Sequence, residues 1–197
     1  MLYTFIVQSS EDSTSAKKSR RIALDTVTTG LLEDHKIILH ALQVLSEISS
    51  VDLAANELEA DKLYSFIEKL KFFVEEVHQG KEEAILFPGM IAKGVADHGG
   101  PIGVIVAEHI EGRGCLQSML EALEDEADQA SFLQISRKYT NLMAEHIRKE
   151  NEIVFPMVDK VFSHDEIQKM QKNFFDFDKK NNSIEKGLDI KNYWLIK

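Results

Sequence analysis

His78-Gln79-Gly80-Lys81-Glu82-Glu83-Ala84-Ile85-Leu86-Phe87-Pro88 aligns without gaps on His146-Ile147-Arg148-Lys149-Glu150-Asn151-Glu152-Ile153-Val154-Phe155-Pro156. The shared core reads His-x-x-Lys-Glu-x-x-Ile-x-Phe-Pro, and it marks an internal duplication. Residues four apart lie on one face of an α-helix, one turn above the other. Each copy therefore presents an imidazole and a carboxylate side by side, His78 with Glu82 and His146 with Glu150. A weaker echo precedes each copy, Asp34-His35 before the first and Glu108-His109 before the second. Each half of the chain thus supplies one histidine and then one His-x-x-x-Glu.

Outward from these stretches the apolar periodicity is helical. Leu31, Leu32, Ile38, Leu39, Leu42 and Leu45 recur at three- and four-residue steps, and the same reading fits 58–87, 102–123 and 132–161. The breaks at 49–52, 89–100 and 125–129 are short, which predicts antiparallel neighbours. The expected fold is all-α, an up-down-up-down four-helix bundle. Ser163 and Glu166 form a Ser-x-x-Glu signature for a short fifth helix. Pro101 follows Gly100 at a helix start, while Pro88 and Pro156 are expected to kink or end the second and fourth helices. The pieces Tyr3 to Val7 and Tyr193 to Ile196 look strand-like but lack an evident partner. The chain divides accordingly into an N-terminal tail (1–24), the bundle (25–162) and a C-terminal helix with its tail (163–197).

Composition narrows the function classes. Of 197 residues 44% are hydrophobic and 28% charged, which suits a folded core and rules out a disordered chain. The net charge is −10 and no basic block follows a phosphate backbone, so nucleic acid is not an expected partner. Charge-free runs stop at ten residues, and a membrane span needs about 18 or more apolar positions, so no membrane association is expected. The N-terminal residues lack the basic start and apolar length of a secretory signal, which points to the cytoplasm. A single cysteine, Cys115, excludes an intramolecular disulfide and a thiolate cluster.

The repeated pairs sit on apolar stripes: Val74 and Ile85 flank the first, and Tyr139, Met143 and Ile153 the second. Leu31 with Leu42 brackets His35, and Ile105 with Leu116 brackets His109. All six polar groups are therefore expected in the core. Burying them uncompensated costs several kcal/mol for each charged group, on the order of what few folds tolerate. Two divalent cations neutralise the two carboxylates, and mixed imidazole and carboxylate donors suit iron, manganese or zinc. Six ligands for two ions leave coordination room for a small molecule, the mark of a reactive site. A lone His-x-x-x-Glu is ordinarily a solvated pair; two copies in register, with a histidine on each remaining helix, are not.

These residues resemble the hemerythrin-like, His-His-Glu cation-binding domains, and Gly100-Pro101-Ile102-Gly103-Val104-Ile105-Val106-Ala107-Glu108-His109-Ile110-Glu111-Gly112-Arg113 is similar to their third helix. The resemblance covers residues 25–162. It implies a four-helix bundle with a non-haem di-iron centre whose ligands are His35, His78, Glu82, His109, His146 and Glu150, with manganese or zinc ranking behind iron. Oxygen-carrying hemerythrins have a further histidine one turn after the third-helix ligand, where this chain has Arg113. Their last carboxylate is an aspartate five residues after its histidine, where this chain has Glu150 at four. The centre is closer to the di-iron domain of iron-sulfur cluster repair proteins, although the small domain that often precedes that bundle is not evident. Ferritin-like bundles instead use Glu-x-x-His and are rich in glutamate.

The resemblance implies a redox or nitrosative-stress protein that binds or reacts with dioxygen, nitric oxide or peroxide, or one that repairs iron centres with a redox or iron-acceptor protein as partner. A non-catalytic oxygen or nitric oxide sensor or store and a structural metal-binding bundle are the alternatives. Other residues are read more plainly. His40, about 140° round the helix from His35, His98 beside Gly99-Gly100, and His164 are expected at the surface or packed on neighbours. Tyr139 is either a core residue or a donor toward a bound oxygen species, and Arg113 either a rim residue or a partner for a supporting carboxylate. Cys115 reads as a packed thiol, and the acidic group around Glu121, Glu124 and Asp128 as a solvated helix end.

Overall fold

In the computed structural model, the described residues are 27–50, 60–124 and 128–192. They form six helices: α1 (Val27–Ser50), α2 (60–92), α3 (Pro101–Glu124), α4 (129–161), α5 (His164–Asn181) and α6 (Ser183–Lys191). The first four make the expected up-down-up-down bundle, with α1 packed on α4, α4 on α3 and α3 on α2. Among the described residues there is no strand; the strand-like pieces at 3–7 and 193–196 lie outside them. The α5 start carries the anticipated capping box, with the Ser163 backbone N–H donating to Glu166 at 2.9 Å.

The two prolines of the repeat do not end their helices. α2 runs on past Pro88 to Ala92, and α4 past Pro156 to Val161. A π-helical turn precedes each proline, over Glu82–Leu86 in α2 and Glu150–Val154 in α4, so that Phe87 N–H donates to Glu82 O and Phe155 N–H to Glu150 O, five residues back. Each proline then stands in the first turn of a fresh α-helical segment, where its missing N–H costs nothing. α2 carries a second π turn at Phe73–Gln79.

The wide turns also shift the buried register. Ile85 is only half-buried and Ile153 is 47% exposed, whereas the residues one position later, Leu86 and Val154, are almost completely buried. A turn closed by an i→i+5 bond takes more residues per revolution, which carries the apolar stripe one residue beyond where an ordinary helix would set it. On α1, Leu32 and Leu39 also face outward, 37% and 44% exposed, leaving Leu31, Ile38, Leu42 and Leu45 as its core face.

The C-terminal residues contribute more than a tail. Residues 183–191, read from the sequence as part of the C-terminal tail, form α6, whose Ile190 belongs to the core. α5 and α6 pack over α1 and α2, filling the side of the bundle where those two helices touch least. Gly187 permits this approach, because a Cβ there would stand 2.7 Å from Ile37 Cδ1 and 3.3 Å from Phe73 Cε2.

The apolar interior is divided in two. One cluster is built around Leu45, Phe66, Phe73, Met119 and Phe132, the other around Leu31, Phe87, Ile105, Phe155 and Val158. The layer between them is polar.

Candidate metal centre

That layer consists of the six residues singled out by the repeat. His35 is 2% exposed, and His78, Glu82, His109, His146 and Glu150 are fully buried. Each comes from a different turn of α1, α2, α3 or α4, and their donor atoms converge. His35 Nε2 lies 3.2 Å from His78 Nε2 and 2.9 Å from Glu150 Oε2. On the other side, His146 Nε2 lies 3.2 Å and His109 Nε2 3.9 Å from Glu150 Oε1. The two oxygens of Glu150 thus address two different histidine pairs. Glu82 has a similar place between the halves, its Oε2 being 3.6 Å from His78 Nε2 and 3.4 Å from His109 Nε2. Two groups whose donor atoms all lie within 4.8 Å of one another result: His35, His78, Glu82 and Glu150, and His109, His146 and Glu150.

The outer nitrogen of three histidines donates a hydrogen bond, and that of His78 faces a carboxylate without a hydrogen bond of proper geometry. His109 Nδ1–H donates to Glu83 Oε1 at 2.7 Å, His146 Nδ1–H to Glu108 Oε2 at 3.1 Å, and His35 Nδ1–H to Asn151 Oδ1 at 2.9 Å. His78 Nδ1 is 3.5 Å from Asp34 Oδ2, the longest of the four. A proton held on Nδ1 leaves the Nε2 lone pair directed at the centre, and such outer contacts fix the ring and make it a stronger donor. Three of the partners are themselves ion-paired: Asp34 with Lys81 at 2.7 Å, Glu83 with Arg113 at 2.5 Å, and Glu108 with Lys149.

The duplication explains most of this shell. Asp34 and Glu108 are equivalent, as are Lys81 and Lys149, and Glu83 and Asn151. The two halves part company at one pair: Glu83 with Arg113 on one side corresponds to the neutral Asn151 on the other, where the residue matching Arg113 is Leu39. A charge and its counter-charge are absent together. The supporting acids were not picked out from the sequence as site residues. The signal was present in the shared Lys of the repeat and in the acid preceding both His35 and His109.

The phenylalanines of the repeat serve the same layer. The Phe155 ring stacks on His35 with centroids 5.3 Å apart, and Phe87 on His109 at 6.1 Å. Each half lends its aromatic ring to the histidine of the other.

Electrostatics show what this layer lacks. Burial alone would raise the Glu150 carboxyl, yet the four histidines gathered round it hold it well below the usual range. Burial would likewise push the imidazoles of His78 and His109 down, but the surrounding carboxylates raise both to about 10. In a chain without cations, protons stand in for positive charge. Even so, both Glu82 oxygens, Glu150 Oε1, His109 Nε2 and His146 Nε2 lack a hydrogen-bond partner of proper geometry among the described residues. Unpartnered buried nitrogen and oxygen atoms that converge in this way are what cations satisfy, so the residues present fit bound metal.

A family model, the hemerythrin HHE cation binding domain, matches residues 26–158. The chain belongs to this family. No curated protein and no solved structure matched the chain at a significant level. In this hemerythrin-family chain the helical bundle and a buried His/Glu cluster suited to metal are both in place. No helix among the described residues is long and apolar enough to cross a membrane.

The remaining titratable residues stand apart from the cluster. His40 is half-buried, His98 has a side chain 94% exposed, and exposed His164 contacts Gln168 at 3.0 Å. Arg113 takes the supporting role, and Glu83 with Arg113 lines a surface cleft also walled by Glu75, Glu76 and Gly80. Tyr139 is fully buried in the core beside Gly112, and its hydroxyl has no hydrogen-bond partner among the described residues. Burial pushes that hydroxyl up, away from ionisation. Cys115 is a buried thiol of the larger cluster, likewise pushed up by burial. Asp128 caps α4, accepting from the Ser131 backbone N–H at 3.3 Å.

Proposed function

We propose that this chain is a non-haem di-iron protein that binds or reacts with a small diatomic molecule or peroxide, in redox or nitrosative stress or in the repair of iron centres. The observation that carries this reading is the placement of Glu150, one oxygen facing His35 and the other facing His146 and His109. His35, His78, His109 and His146 would hold the pair of ions, with Glu82 and Glu150 between them. When bound, such a pair supplies one-electron redox chemistry and open coordination positions for a small molecule. Imidazole with carboxylate admits iron, manganese and zinc alike, and iron is preferred on the chain's membership of the hemerythrin family.

The chain's own residues prepare the site. Glu83, Glu108, Asp34 and Asn151 hold the four rings with Nε2 inward, and the two apolar clusters above and below exclude water. Phe87 and Phe155 limit the rotation of His109 and His35 through their stacking. Arg113 is engaged by Glu83 at 2.5 Å, so it is a supporting residue and adds no nitrogen donor of the histidine type. This arrangement supports a reactive or sensing centre over a reversible oxygen carrier. We place the protein in the cytoplasm, with a redox or iron-acceptor protein as its partner.

The deciding experiment is elemental analysis of anaerobically purified protein, joined to absorption spectra before and after dioxygen, nitric oxide or peroxide. Two irons per chain with turnover of peroxide or nitric oxide, or iron transfer to an apo-cluster acceptor, is the expected result. A reversible spectral change without turnover would instead identify a sensor or store. Zinc-loaded, redox-silent protein would refute the proposal.

A further inference from the structure

The two lysines of the repeat differ in their surroundings. Lys149 pairs with Glu108 and its side chain is 31% exposed, as a rim residue would be. Lys81 is 2% exposed and lies between two carboxylates, Asp34 Oδ2 at 2.7 Å and Asp178 Oδ1 at 2.9 Å. Asp178 belongs to α5, beyond the residues 26–158 matched by the family model. A buried ammonium is tolerated only where anions offset its lost hydration, and Asp34 and Asp178 are the two anions in contact with Lys81.

The seat of α5 at this point is built for close approach. α5 packs on α1 and on both π turns of α2. The residue preceding Lys81 is Gly80, where a Cβ would stand 2.8 Å from Phe177 Cζ, next in sequence to Asp178. In the other half the matching residue is Arg148, which pairs with Glu145 and Glu152 at the surface. The chain thus breaks its own repeat to admit a helix on one side only.

We propose that α5 positions the His78 ring. Asp178 holds Lys81, Lys81 holds Asp34, and Asp34 faces His78 Nδ1, so docking of α5 and cation binding by the His35 and His78 pair are coupled. Asp178 is a positioning residue, three links from the ring. The inference rests on the metal reading given above. Coupling of this kind is reciprocal: a cation that favours the docked helix is favoured by it to the same degree.

The test uses the whole metal-free chain titrated anaerobically with cobalt(II), whose visible bands report coordination, in competition with a chelator. Asp178→Asn keeps the shape and removes the charge. It should weaken one of two binding steps by about tenfold, the lower end of what supporting contacts contribute, and leave the other within about twofold. Asp176→Asn, the same charge change on the same helix at a residue paired with Lys172, should alter neither. Gly80→Ala, which pushes α5 outward with no change of charge, should repeat the selective loss. In the wild type, cobalt should slow hydrogen exchange of the backbone amides of 164–181.

Two unchanged binding steps in Asp178→Asn would overturn the inference. Equal weakening of both, in step with a lower melting temperature of the metal-free form, would overturn it too, since that is the effect of a general loss of packing. Wild-type protein that takes up no cobalt would overturn the metal reading itself, and this inference with it, before any variant is compared.

Discussion

Glu83→Gln isolates the contribution of one supporting carboxylate. The glutamine has the same shape and still offers an oxygen to His109 Nδ1–H and Arg113, now 2.7 Å and 2.5 Å from Glu83 Oε1, but it withdraws the negative charge behind the ring. Loss of such a contact lowers metal affinity by about 10- to 100-fold, which is about 1.4–2.8 kcal/mol. With cation in excess over its dissociation constant, the same amount is lost from the stability of the loaded protein. For a chain of this size that lowers the melting temperature by about 3–11 °C. The metal-free form should lose much less, because the Glu83–Arg113 pair is one-third exposed and such pairs contribute about 1 kcal/mol or less. Chelator competition and melting curves with and without metal measure both quantities. Equal losses in the two forms, with unchanged metal affinity, would refute the role assigned to Glu83.

His146→Ala should lower metal content and melting temperature together, with the metal-free form changed far less, as elemental analysis and calorimetry will show. Leu86→Ala should cost about 2–5 kcal/mol, while Ile85→Ala, on the half-buried neighbour, costs distinctly less; the reverse order in denaturant unfolding would contradict the π-turn register. In the metal-free chain His78 and His109 titrate near about 10 rather than 6.5. Raised values in the folded state mean that their protons stabilise it fully below about pH 6.5 and that this contribution fades as pH rises toward 10. Melting of chelator-treated protein should therefore decline across that window more than melting of the metal-loaded form, and parallel profiles would count against the raised values.

The bundle and the convergence of six polar groups were legible because both depend on helical spacing, which His78 with Glu82 and His146 with Glu150 display twice. What spacing could not show was any departure from 3.6 residues per turn. Ile85 and Ile153 were placed in the core, and Pro88 and Pro156 were expected to kink or end their helices, because a π turn leaves no mark in the apolar pattern that an α-helical reading detects. The supporting partners required knowing which helices face each other: Glu83 reaches His109 across the bundle, and Asn151 reaches His35. α6 went unread because nine residues hold too few turns for a periodic signal, and its main qualification, Gly187, matters only against Ile37 and Phe73.

The wide turns at Glu82–Leu86 and Glu150–Val154 make chain length itself part of the design. Each stretch holds one residue more than an ordinary turn, and its i→i+5 bond absorbs that residue without turning the helix beyond it. Removing one residue there would return an ordinary turn and leave Phe155 over His35 and Phe87 over His109. One further residue with no wide turn to absorb it would swing everything beyond by about 100°. In α4 the ring that covers His35 would then turn toward water, and Val158 would follow; in α2, Phe87 and Met90 would do the same. Near the buried histidines these two helices therefore tolerate the loss of a residue better than the gain of one.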